Sequence, residues 1–529
     1  MNGPFDEARA QLLEAVSHLL HVEPPSSYRT PKIIHDAIWG TCEYDPWEVG
    51  LLDLPVFQRL RGLKQTGFAY LTYPAAEHSR FQHVLGVVQG ASRVFDSLRR
   101  RAPVDGLSPR ARQAKGGLPA LTDDPVAARY RVLLRLAALV HDLGHSLLSH
   151  TSERIFSLIA PFPELIATIQ TRYDKRPGAA EVMVYLLVTS RQWQEACDES
   201  WERGAGPGPP PTATDWERIG RWVMGIEPDG AAKFICDIIS GPLDADKLDY
   251  VARDSYFAGI PVTHDLDRFL STVCVDYQTD PSSGRSWYRL TLPIHRGINA
   301  LEQLVMSKLV LFSYLYHHQK VRAAEATFER ALAREYLTSK TIAGLNRVWD
   351  LFRVQDAHVY AMVDGYPGRL PAADVAYRVL PRRVAEFRQQ DVTDEGSANE
   401  ASQVREYRRL ARLGRPKSWD AYKDLLAYED KLASTAGLRA GSVVVDFPSD
   451  PDYGELESLL LPGRTPDEET TAKQHLSYSD WIQAYNKHRV YARVFSFGER
   501  RDRDRVWTVL RDDFAGRGLT LSPRLQIGK

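Results

Sequence analysis

Cysteine is scarce: Cys42, Cys197, Cys236 and Cys274 are the only four in 529 residues, and no two form a CxxC pair. That spacing excludes a short disulfide framework, argues against a structural zinc site and fits a reducing cytoplasm. Net charge is nearly absent as well, at -1 with a pI of about 7.0. Global electrostatics therefore announce neither a nucleic-acid nor a membrane partner, although the average hides any local basic pocket. No run of about 18 apolar residues occurs, which argues against a helical membrane span. The opening MNGPFDEARAQLLEAVSHLL carries acidic residues inside its apolar stretch, unlike a secretory signal.

What is present is ordinary globular material, 43% hydrophobic and 26% charged. The length predicts two or three structural units. Apolar spacing of three and four dominates, which predicts a mainly α chain. Residues 1–20 read as an amphipathic helix that ends at a Pro/Ser break, Pro24–Ser27. Residues 29–74 mix short strand-like pieces with turns. Val84, Val87, Val88, Ala91, Val94, Phe95 and Leu98 share one helical face. The Gly/Pro/Arg/Lys-rich stretch 102–125 reads as a surface insertion, and RGAGPGPPPTAT at 203–214 as a second loop. Beyond about residue 340, GSVVVDFP and RVYARVFSF cluster β-formers while RDRDRVWTVLRDDF is helical in pattern, which predicts an α+β C-terminal region. The basic runs near 99–101, 381–383 and 500–505 read as solvated faces, and His317 and His318 as surface or interface residues.

One cluster breaks the local rules. The stretch RVLLRLAALVHDLGH is apolar nearly all round and reads as a buried central helix, yet it carries His141, Asp142 and His145, with His150 shortly after. Burying such groups without partners is costly, and Gly144 inside a helix costs about 1 kcal/mol relative to alanine. An isolated His-Asp pair reads equally well as a hydrogen-bonded core feature. Two further segments weigh against that reading. EHSRFQHVLGV puts His83 at a helix start with Arg80 before it, and DADKLDYVARD sets Asp246, Tyr250 and Asp254 on one helical face. Two imidazoles and two carboxylates make a mixed N/O donor set suited to Mn, Fe, Co, Ni or Zn.

The ordered set HSRFQH, LVHDLGHSLLSH and DADKLDYVARD resembles the HD superfamily of phosphohydrolases, and most closely its deoxynucleoside triphosphate triphosphohydrolases. The resemblance runs through KIIHDAIWGTCEYDPWEVGLLDLPVFQRLRGLKQTGFAYLTYP and covers roughly residues 29–340. It implies an HD-domain helical core with small β pieces over 29–340, after an N-terminal helical extension at 1–28. Residues 341–529 would form a regulatory or oligomerising region. It implies His83, His141, Asp142 and Asp246 as metal ligands. His145 and His150 would act near the scissile bond, one as proton donor, with Glu153 orienting the catalytic histidine. Gln65 and Asp254 would hold the sugar 3′-hydroxyl, and Tyr250 would press against C2′. Arg80 and Lys247 would meet phosphates, Lys308 stands where the subgroup offers an arginine to the γ-phosphate, and Tyr316 fits the sugar pocket. The family's further histidine about 25 residues after HDxxH is absent from KRPGAAEVM.

The implied chemistry is hydrolysis of a deoxynucleoside triphosphate to deoxynucleoside and triphosphate, with Mg on the substrate phosphates. A second nucleotide site at Lys32, Asp53, Gln58 and Arg61 would couple an activating nucleotide to homo-oligomerisation, as tetramer or hexamer. The alternative reading of Asp53 is a helix cap, and of Arg61 a solvated face. Cytoplasmic location, no membrane partner and a role in nucleotide-pool control or phage defence are compatible with this chemistry, and nucleic acid is left open. Two other classes stand beside it: an HD phosphohydrolase acting on an alarmone, cyclic dinucleotide or single-stranded end, and a non-catalytic nucleotide sensor.

Overall fold

Three caps start the three helices on which the site is built. Ser79 and Gln82 form a reciprocal capping box, with Gln82 Oε1 accepting from Ser79 N at 2.9 Å, and open the helix Arg80–Arg101. Asp123 accepts from Val126 N at 3.0 Å and opens Asp124–Val140. Asp244 accepts from Lys247 N at 2.7 Å and opens Ala245–Ala258, which Gly259 ends in the left-handed conformation at φ 66°. The first two helices pack against each other, and the third crosses the first.

The computed structural model describes residues 3–21, 30–114, 117–262, 264–279, 283–361, 375, 378–449, 454–475 and 478–526. The fold is mainly α with small antiparallel sheets. Lys32–Asp36 pairs with Gly40–Tyr44, Cys274–Thr279 with Ser286–Thr291, and Leu460–Pro462 with Glu469–Thr471. A three-stranded sheet places Ala492–Ser496 between Arg382–Phe387 and Val443–Asp446. The main core spreads from Phe5 in the first helix, Pro4–Val16, to the long helices. A second apolar cluster joins that three-stranded sheet to the helices Trp419–Thr435 and Arg500–Gly516 through Val384, Leu432, Val494 and Phe514. A buried ion pair ties the sheet to the helix Gln319–Ser339, Arg322 reaching Asp446 at 2.5 Å, and Arg330 of that helix reaches Glu429 of the helix Trp419–Thr435 at 3.2 Å. No described helix is long and apolar enough to cross a membrane.

Several local expectations change. The apolar helix stops at Val140, so His141–Gly144 lie in a turn rather than mid-helix. The break at Pro24–Ser27 lies outside the described residues. The stretch 102–125 contains two short helices, Pro109–Gln113 and Pro119–Thr122, and buries Ala111, Leu118 and Leu121. A low apolar count hid them, because each uses only a few small contacts.

His317 is also not at the surface: it is 6% exposed. Burial, with Arg322 and Arg493 alongside, pushes its imidazole down to about 3. A histidine that binds its proton less readily folded than unfolded contributes stability above about pH 6.5, which is lost as pH falls towards the folded value. His317→Gln is therefore expected to remove part of the acid sensitivity, about 1–2 kcal/mol at pH 5 relative to pH 7. Denaturant unfolding at the two pH values checks this.

Candidate metal centre

His83 stands one turn into its helix and is fully buried. Its Nε2 lies 2.8 Å from Asp246 Oδ1, without the alignment of a good hydrogen bond. Its Nδ1 lies 2.7 Å from Asp249 Oδ2. His141 sets Nδ1 2.7 Å from the Ala138 carbonyl oxygen, so Nδ1–H donates there and Nε2 keeps its lone pair. That Nε2 is buried and has no hydrogen-bond partner among the described residues. Ligand atoms of His83, His141 and Asp246 all lie within 4.8 Å of one another. Asp142 stands at the edge of this group, with Oδ1 3.5 Å from His141 Nε2 and Oδ2 on the Arg80 guanidinium.

This donor set fits a divalent metal. Three N/O ligand atoms converge, one of them an orphaned imidazole nitrogen, and a fourth carboxylate is adjacent. The second layer fits as well, because a histidine ligand commonly passes its other nitrogen to a carboxylate. Asp249 takes that role for His83 and is itself held by Arg253 Nε at 2.8 Å and by Trp39 Nε1 at 2.7 Å. Arg253 also reaches Asp36 at 2.9 Å. Burial pushes the His83 imidazole down, but contacts with Asp246 and Asp249 outweigh it and hold the group up at about 10. Burial pushes the Asp142 carboxyl up, and the Arg80 charge overrides this and holds it well below the usual range.

Beside this group lies a second one, His145, His150 and Glu153, whose ligand atoms are equally close. Glu153 Oε2 lies 3.0 Å from His150 Nδ1 and 3.7 Å from His145 Nδ1, while Oε1 accepts from Ala180 N at 3.1 Å. Burial raises the Glu153 carboxyl, but the His150 hydrogen bond and the nearby His145 bring it down to about 2. His145 is buried, and burial with the Arg80 charge lowers it to about 4, whereas the His150 side chain is 72% exposed. Gly144 makes this approach possible. A Cβ there would sit 1.9 Å from the Ala180 carbonyl oxygen. Gly144→Ala is therefore expected to destabilise the fold by about 1–3 kcal/mol or more and to displace His145, which thermal unfolding and turnover measure together.

The other expected contacts lie on several elements. Asp254 joins Tyr316 Oη at 2.5 Å and His78 Nε2 at 2.7 Å, and Tyr250 is partly buried one turn before Asp254 on the same helix. Gln65 donates its backbone N–H to His78 O at 3.0 Å, and its Oε1 is buried without a partner. Lys247 Nζ donates to Asp244 Oδ2 at 2.6 Å and to Gly241 O at 2.8 Å. Lys308 Nζ lies 6.0 Å from the Phe312 ring centre, on the helix Ile294–Leu311. Arg80 Nε donates to Ser149 Oγ at 2.8 Å, and its Nη2 is buried and unpaired. Lys32 is exposed on the first hairpin, and Asp53 caps the C-terminal end of the helix Pro46–Leu52. Gln58 accepts from Arg61 Nε at 2.8 Å, and the Arg61 guanidinium lies 3.8 Å from the Phe81 ring centre.

Sequence reasoning missed Asp249, Trp39, Asp36 and His78. Asp249 and Arg253 did leave a signal, an Asp–Arg pair four apart on the helix that bears Asp246. It also missed a cavity of about 420 Å³ between the start of the helix Gln319–Ser339 and the three-stranded sheet. Lys320, Arg378 and Arg382 line it, with Arg382 exposed as a solvated face predicts and no carboxylate among its described lining. Burial and those arginines lower the Lys320 amine, and Arg378 adopts φ 63°.

No family model matches the chain. It is 29% identical over 280 residues to the uncharacterized protein YwfO of Bacillus subtilis, covering 53% of this chain and 49% of that one. It is 28% identical over 276 residues to the deoxynucleoside triphosphate triphosphohydrolase SAMHD1 of Homo sapiens, covering 50% and 38%. With the uncharacterized protein MJ1154 of Methanocaldococcus jannaschii it shares 26% over 305 residues, covering 58% and 50%. The chain thus spans half or less of the length of these curated relatives. A crystal structure of a hypothetical protein from Aquifex aeolicus matches the fold with a TM-score of 0.58 at 20% identity, over 91% of this chain and 100% of that one. Taken with the site, the sequence matches support an HD-domain, dNTPase-like protein.

Proposed function

We propose that the protein hydrolyses deoxynucleoside triphosphates to deoxynucleoside and inorganic triphosphate. One observation supports this most: ligand atoms of His83, His141 and Asp246 lie within 4.8 Å of one another, while His141 Nε2, Arg80 Nη2 and Gln65 Oε1 are buried without partners among the described residues. Buried polar atoms are rarely left so. A metal-seeking nitrogen, an anion-seeking donor and a hydroxyl-seeking acceptor match a metal, a phosphate and a sugar.

When bound, a divalent metal (Mn, Fe, Co, Ni or Zn) on His83, His141, Asp142 and Asp246 supplies Lewis acidity at an α-phosphate oxygen and makes water more acidic. The residues supply the rest. Arg80 stabilises charge on the α-phosphate, and Lys247 and Lys308 meet the remaining phosphates, which also carry Mg. Gln65 and Asp254 hold the 3′-hydroxyl, with Tyr316 fixing the Asp254 carboxylate and Tyr250 set against C2′. The departing 5′-oxygen takes its proton from His145 or His150, and Glu153 holds Nδ1 of His150 at 3.0 Å so that its Nε2 exchanges it.

On this reading residues 29–340 are catalytic and 341–529 regulatory or oligomerising. An activating nucleotide at Lys32, Asp53, Gln58 and Arg61 belongs to the same reading, with a cytoplasmic homo-oligomer, tetramer or hexamer, as the working form. Ion-pair chromatography of each dNTP, single and mixed, with Mn²⁺ or Mg²⁺ tests it. Deoxynucleoside with intact triphosphate is expected, and faster turnover of mixtures reports the activator. No turnover of any dNTP, alone or mixed, overturns it in favour of another HD substrate or a sensor.

A further inference from the structure

A cavity of about 1050 Å³ lies away from the metal centre, and none of the residues assigned to that centre lines it. The strand Ser286–Thr291 and the residue before it set Arg285, Trp287 and Arg289 at alternate positions, and all three line this cavity. Alternate residues leave the same face of a strand about 7 Å apart. Gln278, the cross-strand partner of Trp287, joins them. Facing them are Arg172 and Tyr173 at the end of the helix Phe162–Tyr173, then Lys175.

The charges in the cavity are not balanced. Asp237, 1% exposed, serves two cations at once, Arg289 Nε at 2.7 Å and Lys233 Nζ at 3.3 Å. Glu227 is turned to Arg218 at 2.9 Å and to Trp222 Nε1 at 2.6 Å. Asp174 and Glu455 remain against Arg172, Lys175 and Arg285. A surplus of cations thus surrounds a half-buried indole. Aromatic faces between cations are how bases and phosphates are held together, through stacking and charge.

We propose that this cavity binds a nucleoside phosphate, with its base on Trp287 and its phosphates among Arg285, Arg289 and Arg172. The volume suits a ligand of that size. The site is independent of the proposed hydrolysis. One link to the metal centre is Gly241, which lines the cavity and whose carbonyl accepts from Lys247.

Equilibrium dialysis of ATP tests this, with the full chain carrying Asp246→Ala so that turnover does not consume the probe. ATP bound per chain is expected to fall by one when Arg285→Glu and Trp287→Ala are added, at concentrations that saturate the parent. In the wild-type background the same two changes are expected to leave basal dNTP hydrolysis unchanged, which also shows that the fold survives. Arg285→Glu alone, at an exposed position, is expected to weaken this ATP site at least tenfold. Unchanged ATP binding in both variants, or no ATP binding at millimolar concentration, overturns the proposal. Displacement of ATP from this site by short oligothymidylate at far lower concentration also overturns it, because the occupant would then be a nucleic-acid strand.

Discussion

Asp246→Ala is expected to lower dNTP hydrolysis at least about 1000-fold, roughly 4 kcal/mol of transition-state stabilisation, and to lower bound divalent metal in parallel. Asp246 is the carboxylate whose oxygen lies 2.8 Å from His83 Nε2, within the group formed with His141. Its removal breaks the convergence on which the donor set depends. The fold is expected to survive, because the Asp246 side chain is 37% exposed and the helix start rests on Asp244. Metal analysis, turnover and thermal unfolding on one preparation separate these effects. Near-normal hydrolysis by Asp246→Ala would remove the metal-centre assignment. A large drop in unfolding temperature would make the residue structural instead.

The second large effect is expected from a residue that touches neither metal nor substrate. Arg253 is 1% exposed and joins Asp249 at 2.8 and 2.9 Å to Asp36 at 2.9 Å. Arg253→Met leaves two buried carboxylates without their cation. Breaking a buried pair from one side costs about 3–5 kcal/mol. Burial pushes the Asp249 carboxyl up, and Arg253 and His83 at present hold it well below its ordinary value. Loss of Arg253 raises it and weakens its hold on His83 Nδ1. Metal affinity is then expected to fall about 10- to 100-fold. Denaturant unfolding and metal titration measure the two consequences independently. Unfolding within about 1 kcal/mol of wild type, with unchanged metal affinity, would show that the Asp36–Arg253–Asp249 chain does not support the site.

Local chemistry explains which parts of this were readable in sequence. Ser79 and Asp244 are capping residues directly before periodic apolar runs, so the helix starts that position His83 and Asp246 could be read from single residues. The mainly α fold with small β pieces follows from the same periodicity. The end of the helix at Val140 could not be read, because His141 and Asp142 suit a polar pair inside a buried helix as well as a turn. The Ala180 carbonyl, packed against Gly144 from a distant helix, shows why position 144 must be glycine. Trp39 and Asp249 are 210 residues apart, and their hydrogen bond exists only after three elements have packed. Nothing in the sequence singles out His78, which is stacked on Phe257 at 4.8 Å and bound to Asp254. The alternation Arg285–Trp287–Arg289 is visible in the sequence. Its meaning depends on Arg172 and Lys175 arriving from a distant helix end.

In the proposed hydrolysis, water attacks the α-phosphorus and expels the 5′-oxygen. Hydrolysis of a dNTP in oxygen-18 water, with products resolved by mass spectrometry, tests it most directly. One heavy oxygen is expected in the released inorganic triphosphate and none in the deoxynucleoside. Label in the deoxynucleoside, or products consisting of monophosphate and pyrophosphate, would contradict it.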